Sequence, residues 1–189
     1  MESMSGLLEV VSNRRSIRNF EDRPVEKSKI LQCLEAARMA PSAEDKQPWR
    51  FIVLTDSTVK DGFAEAAFSG IYRVTRWVLG APVLVVLMAE LDLGVHRIGK
   101  VLQTIPFHIL DAGIAGEHLV LQAQHLGLGS CWIGWFDVRR ATRFLRIPRS
   151  FRICGLIALG YPDLRRKIRP RRIKSADQII SFNRWGNRE

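Results

Sequence analysis

Hydrophobic residues fall at helical spacing over 26–39, where Ile30, Leu31, Cys33, Leu34 and Ala37 share one face between charged or polar positions. The spacing predicts an amphipathic helix, and Pro41 supplies its stop because proline disfavours helical backbone in the residue before it. Three shorter apolar runs, 51–54, 83–88 and 153–159, have strand length and bulky or β-branched content, and Pro48, Pro82, Gly160 and Pro162 bound them. A short helix over 6–12 delivers Arg14 onto an extended stretch. Over 111–126 the pattern changes: Ala112, Gly113, Ala115, Gly116, Leu119, Val120, Leu121 and Ala123 place small or apolar groups on nearly every side. That is the signature of a helix buried all round. Gly127 is placed to end it in the left-handed conformation, and Gly129 then permits a tight loop through 130–133 whose backbone donors face a ligand. The expected class is α+β, a small central mixed sheet surrounded by helices.

Composition keeps this to one domain spanning 1–189, since 189 residues with 47% hydrophobic content bury a full core without a linker or repeat. The longest apolar stretch, 77–89, contains Gly80 and Pro82 and is too short to span a bilayer, and the polar start MESMSG lacks the layout of a signal peptide. A cytoplasmic location without a membrane partner is the expectation. Cys33, Cys131 and Cys154 are an odd number, far apart and set in apolar sequence, which fits reduced core thiols. His96, His108, His118 and His125 show no metal-ligand spacing, so no structural metal is expected.

Charge adds an anionic partner to the picture. Lys plus Arg number 29 against 19 acidic residues, a formal charge of +10. Such a balance favours nucleic acid, anionic lipid or a phosphorylated ligand. Much of the excess lies in LRRKIRPRRIK, 164–174, a solvated tail or a nucleic-acid arm; the absence of interleaved aromatics disfavours nucleic acid. Neither a GxSxG elbow nor a complete dinucleotide fingerprint is present.

Two segments carry candidate chemistry. In RRSIR, Arg14, Ser16 and Arg18 stand at alternate positions, so an extended chain projects two guanidinium forks and a hydroxyl to one side, as a phosphate monoester requires. In APSAEDKQPWRFIVL, a loop bearing Ser42, Asp45 and Gln47 lies between the helix that Pro41 ends and the strand after Pro48, and it can hydrogen-bond the edge of a flat heterocycle. Their order and spacing resemble the nitroreductase family of FMN-dependent oxidoreductases. The resemblance continues through GLGSCWIGWFD at 127–137 and IPRSFRICGLIALGYPD at 147–163, and is weak only over 56–110.

The resemblance implies a nitroreductase-like fold that binds FMN through Arg14, Arg15, Ser16 and Arg18, with Pro41, Ser42, Ala43, Asp45 and Gln47 at the pyrimidine edge. It places Trp132, Ile133, Gly134 and Trp135 beside the ring, the backbone of Gly134 and Trp135 facing the reactive N5 edge. A last cationic contact to the phosphate falls on Arg172, with Arg171 and Lys174 close behind. A homodimer is implied, with flavin between subunits and the segment 164–189 reaching the partner, while the helix over 111–126 is either a core helix or part of that interface. The implied reaction passes electrons from NADH or NADPH to a nitroaromatic, quinone or similar acceptor by ping-pong turnover. A specialised relative acting as dehydrogenase, dehalogenase or flavin-modifying enzyme is the alternative, as is a non-catalytic basic binding protein. Two positions depart from the family pattern: Asp45 replaces a usual asparagine, and Trp135 a frequent second glycine.

Overall fold

A computed structural model describes residues 6–91, 105–168 and 170–188. Four strands, β1 (Trp49–Leu54), β2 (Val83–Glu90), β3 (Gly129–Ile133) and β4 (Phe151–Gly160), form one sheet in the order β1-β2-β4-β3. Every strand pair is antiparallel. Parallel pairing, expected of a mixed sheet, is confined to an isolated bridge between Ser16 and Ser130, because the connections return each strand from the opposite end. The central strands β2 and β4 are buried along most of their length, which is why their sequences read as continuous apolar runs.

Alternation along β2 splits the core into two layers. Val83, Val85, Leu87 and Ala89 face the helices α2 (Lys27–Arg38) and α4 (Phe107–His125), packing on Cys33, Ala37, Ala115 and Leu119. Leu84, Val86 and Met88 face α3 (Ser57–Ala67), a 3-10 segment Gly70–Gly80 and α5 (Val138–Phe144), packing on Phe63, Phe68, Val78 and Ala141. The register shifts between Leu87 and Met88, opposite Gly155 and Ile153, so one extra residue, Cys154, is accommodated in β4 and the inward set is preserved beyond it. Asp56 and Asp137 cap α3 and α5 by accepting from the amides of Val59 at 2.9 Å and Arg140 at 3.0 Å.

Helix α2 matches its predicted span within a residue at each end, yet Leu31 is 53% exposed, since the buried stripe of Ile30, Cys33 and Ala37 is narrower than the apolar pattern. The short helix α1 (Leu7–Asn13) is also where expected, although none of its residues is buried. Helix α4 departs from expectation more clearly. It buries Asp111, Ala112, Ala115, Gly116, Leu119, Val120 and Ala123 on one face, while Gly113 is exposed and Ile114, Leu121 and Gln122 are half-buried. One face meets the sheet; the other borders a groove of about 780 Å³ shared with Leu7, Val10 and Ala36.

Gly127 ends α4 at φ 75°. Its amide donates to Gln124 at 3.1 Å and that of Leu128 to Ala123 at 2.8 Å, the paired bonds of a Schellman motif. The stretch after it, expected as a loop, is strand β3, because antiparallel pairing with β4 satisfies its backbone and buries Cys131 and Ile133. His96 and part of the weakly matched middle lie outside the described residues. No described helix is long and apolar enough to cross a membrane.

All three cysteines are free. Cys33 is fully buried on the inner face of α2, and burial pushes its thiol up to about 11 from an ordinary 9.0. The unfolded chain therefore loses this proton first. The stabilising difference is intact below pH 9 and disappears as pH rises towards 11, by up to about 3 kcal/mol. Urea unfolding at pH 8 and pH 10.5 should show a smaller drop in stability for Cys33→Ala than for the unsubstituted protein.

Candidate functional site

At Arg14 the backbone leaves the helix for extended geometry, φ −57° and ψ 132°, and the chain runs along the edge of β3. The amide of Ile17 donates to the carbonyl of Ser130 at 2.9 Å, and the Ile17 side chain packs over Gly129, where a Cβ would lie 2.8 Å from it. Burying Ile17 turns its neighbours outward: Ser16 and Arg18 are exposed. Arg14 Nε lies 3.9 Å from Glu117 Oε1, and the Arg18 guanidinium stands 5.7 Å above the Trp77 ring. Arg15 donates to the carbonyls of Ser12 and Arg14, and Arg171 donates to that of Val11 at 3.1 Å. Thus Arg14, Arg15 and Arg171 gather at the carbonyl end of α1, which their charges suit.

Arg172 and Lys174 make no side-chain hydrogen bond or ion pair with the described residues and are exposed. Two other cations, Arg166 and Lys167, line a cleft of about 270 Å³ with Ser16, Arg18, Asn19 and Asp163. The Asp163 carboxylate is held by Arg165 at 2.8 Å, a bond that keeps it below the usual carboxylate range. Only the shared charge of the run 164–174 marked Arg166 and Lys167 in the sequence. Cys131 lies beneath this cluster: burial raises its thiol pKa, opposed by Arg18, a Ser16 bond and Arg14.

The second segment forms a tight loop in which Glu44, Asp45 and Gln47 have φ of 53°, 54° and 47°. Three side-chain-bearing residues in the left-handed region need firm support. Ser42 Oγ accepts from the Gln47 amide at 2.9 Å, and Gln47 Nε2 donates to Asp45 Oδ1 at 2.9 Å. Asp45 and Gln47 are therefore paired to each other at the exposed loop tip, while Pro41 is exposed at its start. The amide of Ala43 donates to Asp111 Oδ1 at 3.2 Å, which ties the loop to α4.

The same helix holds the third part. Trp132 lies across Gly116 and Gly155; a Cβ at Gly116 would collide with the indole Cη2 and Cζ2, and one at Gly155 would lie 3.3 Å from it. Its Nε1 donates to Glu117 Oε2 at 3.2 Å, so Glu117 bridges Trp132 and Arg14. Ile133 points into the opposite core layer, leaving only its backbone for the site. Gly134 is exposed with open space at its Cα, and Trp135 is 53% exposed. The 3-10 segment supports this turn: Thr75 Oγ1 donates to the Trp135 carbonyl at 2.9 Å, Trp135 Nε1 to that of Ile71 at 3.3 Å, and the Tyr72 and Trp135 rings lie 5.3 Å apart. Asp111, Glu117 and Thr75 showed no pattern in the sequence, because each acts on a residue distant in the chain.

This donor set suits a phosphorylated planar ring. Guanidinium groups and a hydroxyl stand at one end, a polar loop at the other, and an open main-chain turn is available beside them. The fold that carries these groups is α+β, one antiparallel sheet with helices on both faces. The Nitroreductase family model matches residues 11–161, and the chain belongs to that family. An NADH dehydrogenase of Thermus thermophilus is 33% identical over 175 residues, covering 79% of this chain and 83% of that protein. The FMN reductase [NAD(P)H] of Bacillus subtilis is 28% identical, covering 89% of this chain and 70% of that protein. An FMN-dependent nitroreductase structure from Clostridium difficile R20291 superposes with a TM-score of 0.72 at 28% identity, covering 94% of this chain and 99% of that one.

The two glycines on α4 should respond oppositely to an added methyl. Gly116→Ala must displace the Trp132 indole, at a cost of about 1–3 kcal/mol. Gly113, with nothing within 4 Å of where an alanine methyl would sit, gains helix propensity, and Gly113→Ala should stabilise the subunit by roughly 0.5–1 kcal/mol. Denaturant unfolding, with Trp emission to report the indole's surroundings, checks both.

Proposed function

We propose that the protein is an FMN-dependent oxidoreductase that carries electrons from NADH or NADPH to a nitroaromatic, quinone or similar acceptor by ping-pong turnover. The observation that carries this reading is the meeting on α4 of a polar loop, through Asp111, and a cationic segment, through Glu117, beside the open turn at Gly134 and Trp135. Membership of the Nitroreductase family supports it, as do the relatives named for NADH, NAD(P)H and FMN. When bound, FMN supplies the hydride chemistry that links donor and acceptor.

Arg14, Arg15, Ser16 and Arg18 hold the phosphate end by charge-assisted hydrogen bonds, assisted from the C-terminal segment by Arg171 or Arg172. Pro41, Ser42, Ala43, Asp45 and Gln47 meet the pyrimidine edge, with Trp132 and Ile133 bordering the ring. The main-chain N–H groups of Gly134 and Trp135 address the N5 edge, where fixed donors stabilise developing negative charge without reorganising. The reaction requires no side-chain general acid, so the chain's work is binding, orientation and electrostatics.

The working form is a homodimer with the site between subunits. The uncovered face of α4, the exposed Leu7 and Leu8 on α1, and the C-terminal Ile179, Phe182 and Trp185, the last 96% exposed, all favour burial against a second copy. In sedimentation, flavin should travel only with dimers; monomers that retain it on dilution overturn the shared site.

The activity is tested on the purified chain. It should be yellow, bleach anaerobically with NADH or NADPH, and give parallel initial-rate lines at several concentrations of a quinone. Intersecting lines remove the ping-pong scheme, and failure to bleach with either nucleotide removes the reading itself.

A further inference from the structure

Among the described residues the buried polar side chains are Ser130 and Asp111, the latter 4% exposed in the second turn of α4. A carboxyl group withdrawn from water is costly unless something donates to it. Here the donor is the Ala43 amide at 3.2 Å, 68 residues away in the chain. The partner segment is the loop whose Glu44, Asp45 and Gln47 all occupy the left-handed region.

Several of the loop's other bonds are internal, and Arg50 donates to the Gln47 carbonyl at 3.1 Å from β1. Gln47 donates to Ser42 Oγ and to Asp45, Asp45 to the Ser42 carbonyl, and Lys46 to the Ala43 carbonyl. The internal bonds fix its shape, and α2 and β1 hold its two ends. The Ala43–Asp111 bond ties it to a helix that also carries Glu117, the carboxylate beside Arg14 and Trp132. Six residues separate the two acidic groups, about 9 Å along the axis at about 1.5 Å per residue.

We propose that Asp111 is a positioning residue: it registers the 42–47 loop against α4, so that the groups meeting the flat end of the cofactor stand at a fixed distance from those holding its phosphate. This rests on the FMN reading above. Asp111 itself touches neither cofactor nor substrate, and acts through the Ala43 amide.

Three substitutions in the full-length chain test it. Asp111→Leu keeps the number and branching of heavy atoms and removes the acceptor, and Asp111→Asn keeps an acceptor oxygen. Ala43→Pro removes the donor at the first position of a 3-10 turn, where proline is tolerated, after a Ser42 already extended at φ −142° and ψ 157°. Without flavin, hydrogen exchange over 42–47 should accelerate at least about tenfold in Asp111→Leu and Ala43→Pro, stay near the parent in Asp111→Asn, and remain unchanged in β2. The dissociation constants of riboflavin and FMN should rise together, by about tenfold or more, in the first two variants. Arg18→Ala, at the phosphate end, should weaken FMN far more than riboflavin. The double variant Asp111→Leu with Ala43→Pro should be no worse than either single change, because both delete one bond.

Unchanged loop exchange overturns the proposal, as does a loosened loop with unaltered riboflavin affinity, or an Asp111→Asn variant as impaired as Asp111→Leu. Should Asp111→Leu fail to fold, Ala43→Pro and Asp111→Asn decide between these outcomes. If the unsubstituted protein binds neither flavin, the FMN reading fails and takes the cofactor role of Asp111 with it, while the exchange data still decide whether Asp111 anchors the loop.

Discussion

The close seating of α4 on the sheet is the constraint on which the rest of the site depends. Gly116 lies against the Trp132 indole and Leu87, and Gly155 lies under the same ring. A side chain at Gly116 would lift the helix or expel the indole. With both glycines in place, α4 is held against β3 and β4, and Asp111 and Glu117 project from it at heights the backbone fixes. A loop of strained conformation and an arginine-bearing segment can then be located from one rigid element. Precision of this kind is difficult to achieve on loops alone.

The second arginine-bearing device is the edge of β3. The segment carrying Arg14 to Arg18 joins that edge through one bridge and one amide bond, with Ile17 inserted over Gly129. The edge strand is thus partly covered, which protects its backbone from unwanted pairing, and the outward positions of the covering segment become available for binding. One buried isoleucine sets the direction of its exposed neighbours, Ser16 and Arg18.

Electrostatics makes this surface locally cationic. Arg14, Arg15 and Arg171 stand near one another at the end of α1, with Arg166 and Lys167 beside Arg18 and Ser16. Like charges held close repel unless carbonyl oxygens, a carboxylate or a bound anion offsets them. The α1 carbonyls and Glu117 supply part of that compensation, and the phosphate of the proposed cofactor would supply more. The formal charge of +10 is therefore better understood as a local arrangement than as a general affinity for polyanions.

Local physics made much of the fold legible. The apolar stripe of α2, the strand runs of β1, β2 and β4, and the Gly127 stop all follow from periodicity, β-branching and the freedom of glycine at φ 75°. The alternation about Ile17 likewise turns Ser16 and Arg18 outward, because an extended chain sends neighbours to opposite sides, whereas Arg14 is half-buried beside Glu117. Tertiary structure decided the rest. Residues 129–133 became a strand because β4 offered an edge, and Leu31 remained outside because the buried stripe is narrow. Asp111, Glu117 and Thr75 act on Ala43, Trp132 and Trp135, at separations of 68, 15 and 60 residues. Such bonds leave no period in the sequence, since a hydrogen bond needs only two complementary groups brought together by packing, and packing belongs to the folded chain.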